Sequence, residues 1–146
     1  MMANVLIVDD DTDFVGAVST VLKSRGHETA AETDPDKAID RIREHHPDVV
    51  ILDVMFPENG AAGFDVARAI RRNFGGLPVV LLTAVNNTFP LGFSNKDRDA
   101  TWLPVAEFME KPVDLNRLCD KIDKLLVKYK AILASGEKRL VGEQAF

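Results

Sequence analysis

The sequence predicts a doubly wound α/β domain, a five-stranded parallel sheet with helices on both faces. Two observations carry this. The apolar runs at 5–8 (Val-Leu-Ile-Val), 49–52 (Val-Val-Ile-Leu) and 79–82 (Val-Val-Leu-Leu) are continuous rather than alternating, as strands are when both their faces are covered. Amphipathic stretches of helical period separate them, and strands alternating with helices in so short a chain make βαβ units with right-handed crossovers.

Each element has its own justification. After the first strand, Phe14, Val18, Val21 and Leu22 share one helical face, and Gly26 stops that helix. Residues 29–31 form a weaker strand. The next helix opens with Asp34 as cap and Pro35 at its first position, buries Ala38, Ile39 and Ile42, and ends before Pro47. A third helix carries Phe64, Ala67 and Ile70 and stops at Gly75-Gly76. Between 85 and 105 a helix is due, but Pro90, Gly92 and Pro104 interrupt it, so a long loop is expected. A weak strand at 107–110 follows. In the last helix Leu115, Leu118, Ile122, Leu125, Tyr129 and Ile132 recur at alternating intervals of three and four, a short heptad-like seam. Ser135-Gly136 ends it, and a polar tail runs to Phe146.

Composition narrows the function. The chain has 146 residues, with 18 basic against 23 acidic side chains and a net charge of −5. That balance argues against nucleic-acid binding by this chain, which needs a concentrated Lys/Arg face. The single cysteine, Cys119, allows neither an internal disulfide nor a cysteine zinc site. No apolar run approaches the roughly 18 residues of a membrane span, and Met1-Met2-Ala3-Asn4 offers no basic start for a secretory signal. A small, soluble, cytoplasmic domain is the expectation.

The polar residues that end the strands are the informative ones. The first strand runs into Asp9-Asp10-Asp11, the second long run into Asp53, the third into Thr83 and the last into Lys111. In an open parallel sheet these carboxyl ends meet at one crevice. Carboxylates forced together repel unless a cation joins them, and hard oxygen ligands suit Mg²⁺ or Mn²⁺. The charges of Asp9, Asp10 and Asp53 are balanced by a divalent cation together with Lys111. Such a site could hold a phosphoryl group by positioning and charge alone.

Four blocks together resemble the response-regulator receiver domain: Val-Leu-Ile-Val-Asp9-Asp10-Asp11, Pro47-Asp48 through Asp53-Val-Met-Phe-Pro57, Leu81-Leu82-Thr83-Ala84, and Phe108-Met-Glu-Lys111-Pro112. The resemblance spans residues 3–128, leaving 129–146 as a helix extension and tail. It implies the flavodoxin-like strand order 2-1-3-4-5, for which a receiver protein is a standard example. It implies that Asp53 is the phosphoacceptor, charged by a histidine kinase or phosphotransfer protein, with Asp10 a direct metal ligand and Asp9 acting chiefly through water. Met55 would give its backbone carbonyl to the metal. Lys111 would bind a phosphoryl oxygen, and Pro112 would follow a cis peptide. Thr83 and Phe108 would be the switch residues, moving inward together to reshape the face around the last two strands and helices.

Two stretches depart from the family pattern. The loop from Pro57 to Gly63 is slightly long, and so is the Pro-broken segment between Thr83 and Lys111, where the family builds much of its partner surface. Competing readings are few. A haloacid-dehalogenase-type phosphatase would use Asp9 as nucleophile, but Asp9-Asp10-Asp11-Thr12-Asp13 misses its final Thr or Val and leaves Asp53 without a purpose. A receiver-like binding module that is never phosphorylated would lack a key residue, and none is missing. The run from Asp9 to Asp13 could serve only as a helix cap, yet a cap needs a single acid. Met55 and Phe56 read as packing, His45 and His46 as a solvated helix end, and His27 as a histidine with no visible partner. Trp102, Phe89 and Phe93 read as pins for the long loop, and Cys119 as an inert core thiol. No output domain is visible, so a stand-alone regulator or a piece of a longer protein is expected. Its downstream partner would be a protein, and the last helix could mediate a homodimer.

Overall fold

The computed structural model describes residues 3–53, 62–84 and 106–134, with side chains described throughout except at 62–64, 83–84, 106–108 and 129–134. Strands β1 (Asn4–Val8), β2 (Glu28–Glu32), β3 (Val49–Asp53), β4 (Val79–Ala84) and β5 (Ala106–Lys111) form one sheet. Its order is β2-β1-β3-β4-β5, and every neighbouring pair is parallel. Helices α1 (Thr12–Ser24), α2 (Ala38–His45), α3 (Ala62–Asn73) and α4 (Leu115–Ala134) are distributed over its two faces.

The faces follow from the two-residue period of a strand. Leu6, Val8, Val50 and Leu52 point to one side and pack with Ile42 of α2 and Ile70 of α3. Val5, Ile7 and Ile51 point to the other and pack with Val18 and Leu22 of α1 and Leu118 and Ile122 of α4. All five residues of β3 are buried, which is why the central strands read as unbroken apolar runs. Each large aliphatic side chain so enclosed contributes about 1.5–3 kcal/mol. By contrast β2 lies at the sheet edge and carries Glu28 and Glu32, so its apolar signal is short and weak.

The helix ends obey local chemistry. Asp11 caps α1, its Oδ1 accepting from Phe14 N at 3.1 Å, and the chain leaves α1 through Gly26 at φ 90°, a conformation glycine adopts freely. Asp34 and Pro35 start a 3₁₀ turn, Pro35–Lys37, before the α-helix proper begins at Ala38. A tight first turn of this kind is common at helix N-termini. His46 closes α2 in the left-handed region at φ 47°, and both His45 and His46 are exposed.

The seam of α4 serves the domain's own core. Leu118, Ile122 and Leu125 are buried against the sheet and Leu115 is half-buried; the side chains of Tyr129 and Ile132 lie outside the described residues. A polar clasp reinforces the docking. Arg25 Nη1 donates to Asp120 Oδ1 at 2.8 Å and to Asp123 Oδ2 at 3.1 Å, and these two hydrogen bonds, that to Asp120 first, hold the guanidinium pKa above its ordinary value. His27, expected to lack a partner, is buried with Nε2 2.9 Å from Asp123 Oδ1. Its partner comes from the far end of the chain, which no local pattern announces. Cys119 is fully buried in the same core, and burial pushes its thiol pKa up. Among the described residues, no helix is long and apolar enough to cross a membrane.

Candidate functional site

The sheet order reverses between β1 and β3, so a crevice opens beyond their carboxyl ends. The chain turns from β1 into α1 there. Asp9 follows β1 directly, fixed by its backbone N–H donating to Glu32 O at 3.0 Å. Its side chain is fully buried, with Oδ1 accepting from Asp11 N at 2.9 Å and Oδ2 accepting from Lys111 Nζ at 2.8 Å. Asp10 is exposed. The acidic run is therefore divided: Asp9 and Asp10 belong to the crevice, and Asp11 is the helix cap.

Asp53 ends β3 and is only 4% exposed. Lys111 ends β5, and its Nζ stands 3.9 Å from Asp53 Oδ2. One carboxylate oxygen each from Asp9, Asp10 and Asp53 fall within 4.8 Å of one another. Strands β1, β3 and β5 thus deliver three acids and a lysine, far apart in sequence, to one place. A fifth contributor is not legible in the sequence, where Phe14 reads only as a core-facing helix residue. Its ring centroid lies 4.5 Å from Lys111 Nζ. The available signal was its place in the first turn of α1, immediately after the acids.

The other expected residues are placed as follows. Thr83 lies in β4 opposite Glu110, beside Ala84 opposite Lys111. Phe108 lies in β5 opposite Leu81. The side chains of Thr83 and Phe108, and the whole of Met55, fall outside the described residues. The Lys111–Pro112 peptide is cis.

A family model for the response regulator receiver domain matches residues 5–123. The chain belongs to the response-regulator receiver family. Among curated relatives, the DNA-binding response regulator MtrA of Mycolicibacterium paratuberculosis is 40% identical over 88 residues, covering 60% of this chain and 38% of MtrA. The transcriptional regulatory protein AfsQ1 of Streptomyces coelicolor is 31% identical over 145 residues, covering 99% of this chain and 57% of AfsQ1. The receiver therefore spans little more than half of AfsQ1 and less of MtrA. Among solved structures, NtrX from Brucella abortus superposes with a TM-score of 0.78 at 26% identity, covering 93% of this chain and 29% of NtrX. A CheY-like receiver domain protein from Methanospirillum hungatei has a TM-score of 0.74 at 21% identity over 90% of this chain and 98% of its own, a likeness of fold. Membership of this family sets aside the dehalogenase-type phosphatase and the inert module.

Receivers of this family bind Mg²⁺ at an acidic pocket, and the residues present here fit such an ion. Their donors are hard carboxylate oxygens, the class Mg²⁺ prefers. Two of the three acids are buried, and a single lysine leaves the cluster with net negative charge.

Proposed function

We propose that this receiver is a phosphorylation-driven switch with Asp53 as its phosphoacceptor. The observation that carries the reading is the meeting of Asp9, Asp10, Asp53 and Lys111 at the carboxyl ends of three strands. The donor is a phosphohistidine of a histidine kinase or phosphotransfer protein. A carboxylate oxygen of Asp53 attacks phosphorus, the P–N bond breaks, and the departing imidazole nitrogen keeps the electron pair and takes a proton from solvent. The product is an acyl phosphate. In the reverse half of the cycle a water oxygen attacks phosphorus, releasing inorganic phosphate and restoring the carboxylate.

Charge makes the transfer feasible. Two anionic partners must approach, and Lys111, whose Nζ lies 3.9 Å from Asp53 Oδ2, offers its ammonium to the incoming phosphoryl oxygens. Asp9, Asp10, Asp53 and the Met55 carbonyl would hold Mg²⁺ or Mn²⁺, which when bound neutralises charge on the phosphoryl oxygens. Asp9 keeps Lys111 beside Asp53 by accepting a hydrogen bond from its ammonium at 2.8 Å. Thr83 and Phe108 would respond to the acyl phosphate and alter the surface around β4, β5 and α4, changing affinity for a downstream protein. Cytoplasmic placement accords with a kinase donor and with the free, buried thiol of Cys119. A homodimer through α4 would use its positions beyond Leu126, because Leu118, Ile122 and Leu125 are already spent on the core. Sedimentation with and without phosphorylation tests that point, and a monomer in both states excludes the dimer.

The central test is chemical. The protein is incubated with Mg²⁺ and a small acyl phosphate donor, and the adduct is mapped. Label on Asp53, abolished by Asp53→Asn, is the expected result. Label on Asp9, or none at all, would refute the reading.

A further inference from the structure

We propose that Phe14 is a positioning residue for phosphoryl transfer, its ring face holding the Lys111 ammonium beside Asp53. The inference rests on the reading of Asp53 as phosphoacceptor and deepens it.

The ammonium of Lys111 is enclosed by three elements. Asp9 at the end of β1 accepts its hydrogen bond at 2.8 Å. Asp53 at the end of β3 lies at 3.9 Å. The ring of Phe14, in the first turn of α1, stands 4.5 Å from Nζ to its centroid, within the roughly 6 Å of a cation–π contact. The lysine side chain remains 24% exposed, so without the ring its long stem could carry the charge into water. Of the three contacts, only the aromatic one adds no negative charge. It holds the cation without taking up a hydrogen-bond donor, leaving the remaining N–H groups for phosphoryl oxygens.

The ring is itself held in place. Phe14 N donates to Asp11 Oδ1 at 3.1 Å, and Asp11 N donates to Asp9 Oδ1 at 2.9 Å. Phe14 also packs, partly buried, against the core shared by α1 and α4. The chain of contacts Asp9–Asp11–Phe14–Lys111–Asp9 closes on itself, so the start of α1 and the charge cluster form one unit. An aliphatic side chain would keep the packing and lose the attraction, because that attraction arises from the ring quadrupole.

The test compares Phe14→Leu, Phe14→Trp and the unaltered protein in two measurements. The first is the rate of Asp53 phosphorylation by acetyl phosphate at saturating Mg²⁺. The second is the proton shift of the Lys111 ε-methylene, which a ring current displaces upfield. Phe14→Leu should lose the upfield shift and react roughly threefold to tenfold more slowly, the range expected for a partly exposed cation–π contact. Phe14→Trp should keep both within about twofold of the unaltered protein, a rescue that a purely structural role of the side chain would not give. An unshifted ε-methylene in the unaltered protein overturns the proposal. So does a Phe14→Leu variant that reacts at the unaltered rate. If the unaltered protein shows the ring-current shift but takes no label on Asp53, the phosphoacceptor reading has failed while the contact stands, and the positioning role falls with that reading.

Discussion

Replacing Lys111 by methionine keeps an unbranched side chain only one atom shorter and removes its charge, which isolates the electrostatics of the crevice. At an effective dielectric of about 20, unit charges 2.8 Å apart attract by about 6 kcal/mol and those 3.9 Å apart by about 4 kcal/mol. Neither figure is a net stability. Removing the ammonium also removes its own desolvation, and its side chain is 24% exposed. Breaking a buried pair by deleting one member costs about 3–5 kcal/mol, and the partial exposure of Lys111 places it at the lower end, about 3 kcal/mol. In a domain of this size that lowers Tm by about 6–12 °C in the absence of metal. Mg²⁺ should act oppositely on the two proteins' difference. A divalent cation among carboxylates that lie within 4.8 Å of one another meets one positive charge fewer in the variant. At a separation of about 5 Å, even a water-like dielectric makes that about 1.7 kcal/mol, more than tenfold in affinity. Thermal melts of both proteins across a Mg²⁺ titration check both expectations. A metal-free variant melting within 2 °C of the unaltered protein, or an equal Mg²⁺ shift in both, would refute the charge cluster as described.

Further expectations concern the scaffold. Leu118→Ala opens a cavity in the core between α4 and the sheet, where Leu118 is fully buried, and should cost about 2–5 kcal/mol in urea denaturation with an unchanged m-value. Burial holds the Cys119 thiol above its ordinary pKa of 9.0, so above that pH the unfolded thiol ionises while the folded one keeps its proton. The unfolded state then binds fewer protons, and stability falls as pH rises from 9 at up to about 1.4 kcal/mol per unit. Denaturation between pH 8 and 10 should show a steeper decline for the unaltered protein than for Cys119→Ala, and equal slopes would remove the thiol as the cause.

Legibility in the sequence tracked how local each cause is. Strands β1, β3 and β4 were evident because they lie inside the sheet and are apolar on both faces. β2 and β5, at its edges, gave only weak runs. The strand-end acids and Lys111 could be gathered into one site because a parallel sheet forces its carboxyl ends together, so topology alone supplied the proximity. Side-chain pairings across the fold had no such shortcut. His27 meets Asp123, and Arg25 meets Asp120 and Asp123, through the docking of α4 on α1, which no spacing encodes. Phe14 was hidden for another reason. An aromatic at a core-facing helical position already has a sufficient explanation, and its second contact appears only when Lys111 is brought beside it.

The acidic run shows how one short segment can answer two competing readings at once. A helix cap and a cation site were alternatives in the sequence, but the backbone assigns Asp11 to the cap and Asp9 with Asp10 to the crevice. The two roles are also mechanically joined, since the cap sets the backbone of Phe14 and Phe14 faces Lys111. Loss of an exposed N-cap ordinarily costs about 1 kcal/mol and nothing in chemistry. Here Asp11→Ala should lower stability by that amount and also slow Asp53 phosphorylation. Asp34→Ala removes a comparable cap, whose Oδ1 accepts from Asp36 N at 2.9 Å at the start of the 3₁₀ turn. It should reduce stability and leave the phosphorylation rate unchanged. Equal rates for the two variants, measured well below their melting temperatures, would show that the cap and the charge cluster are independent.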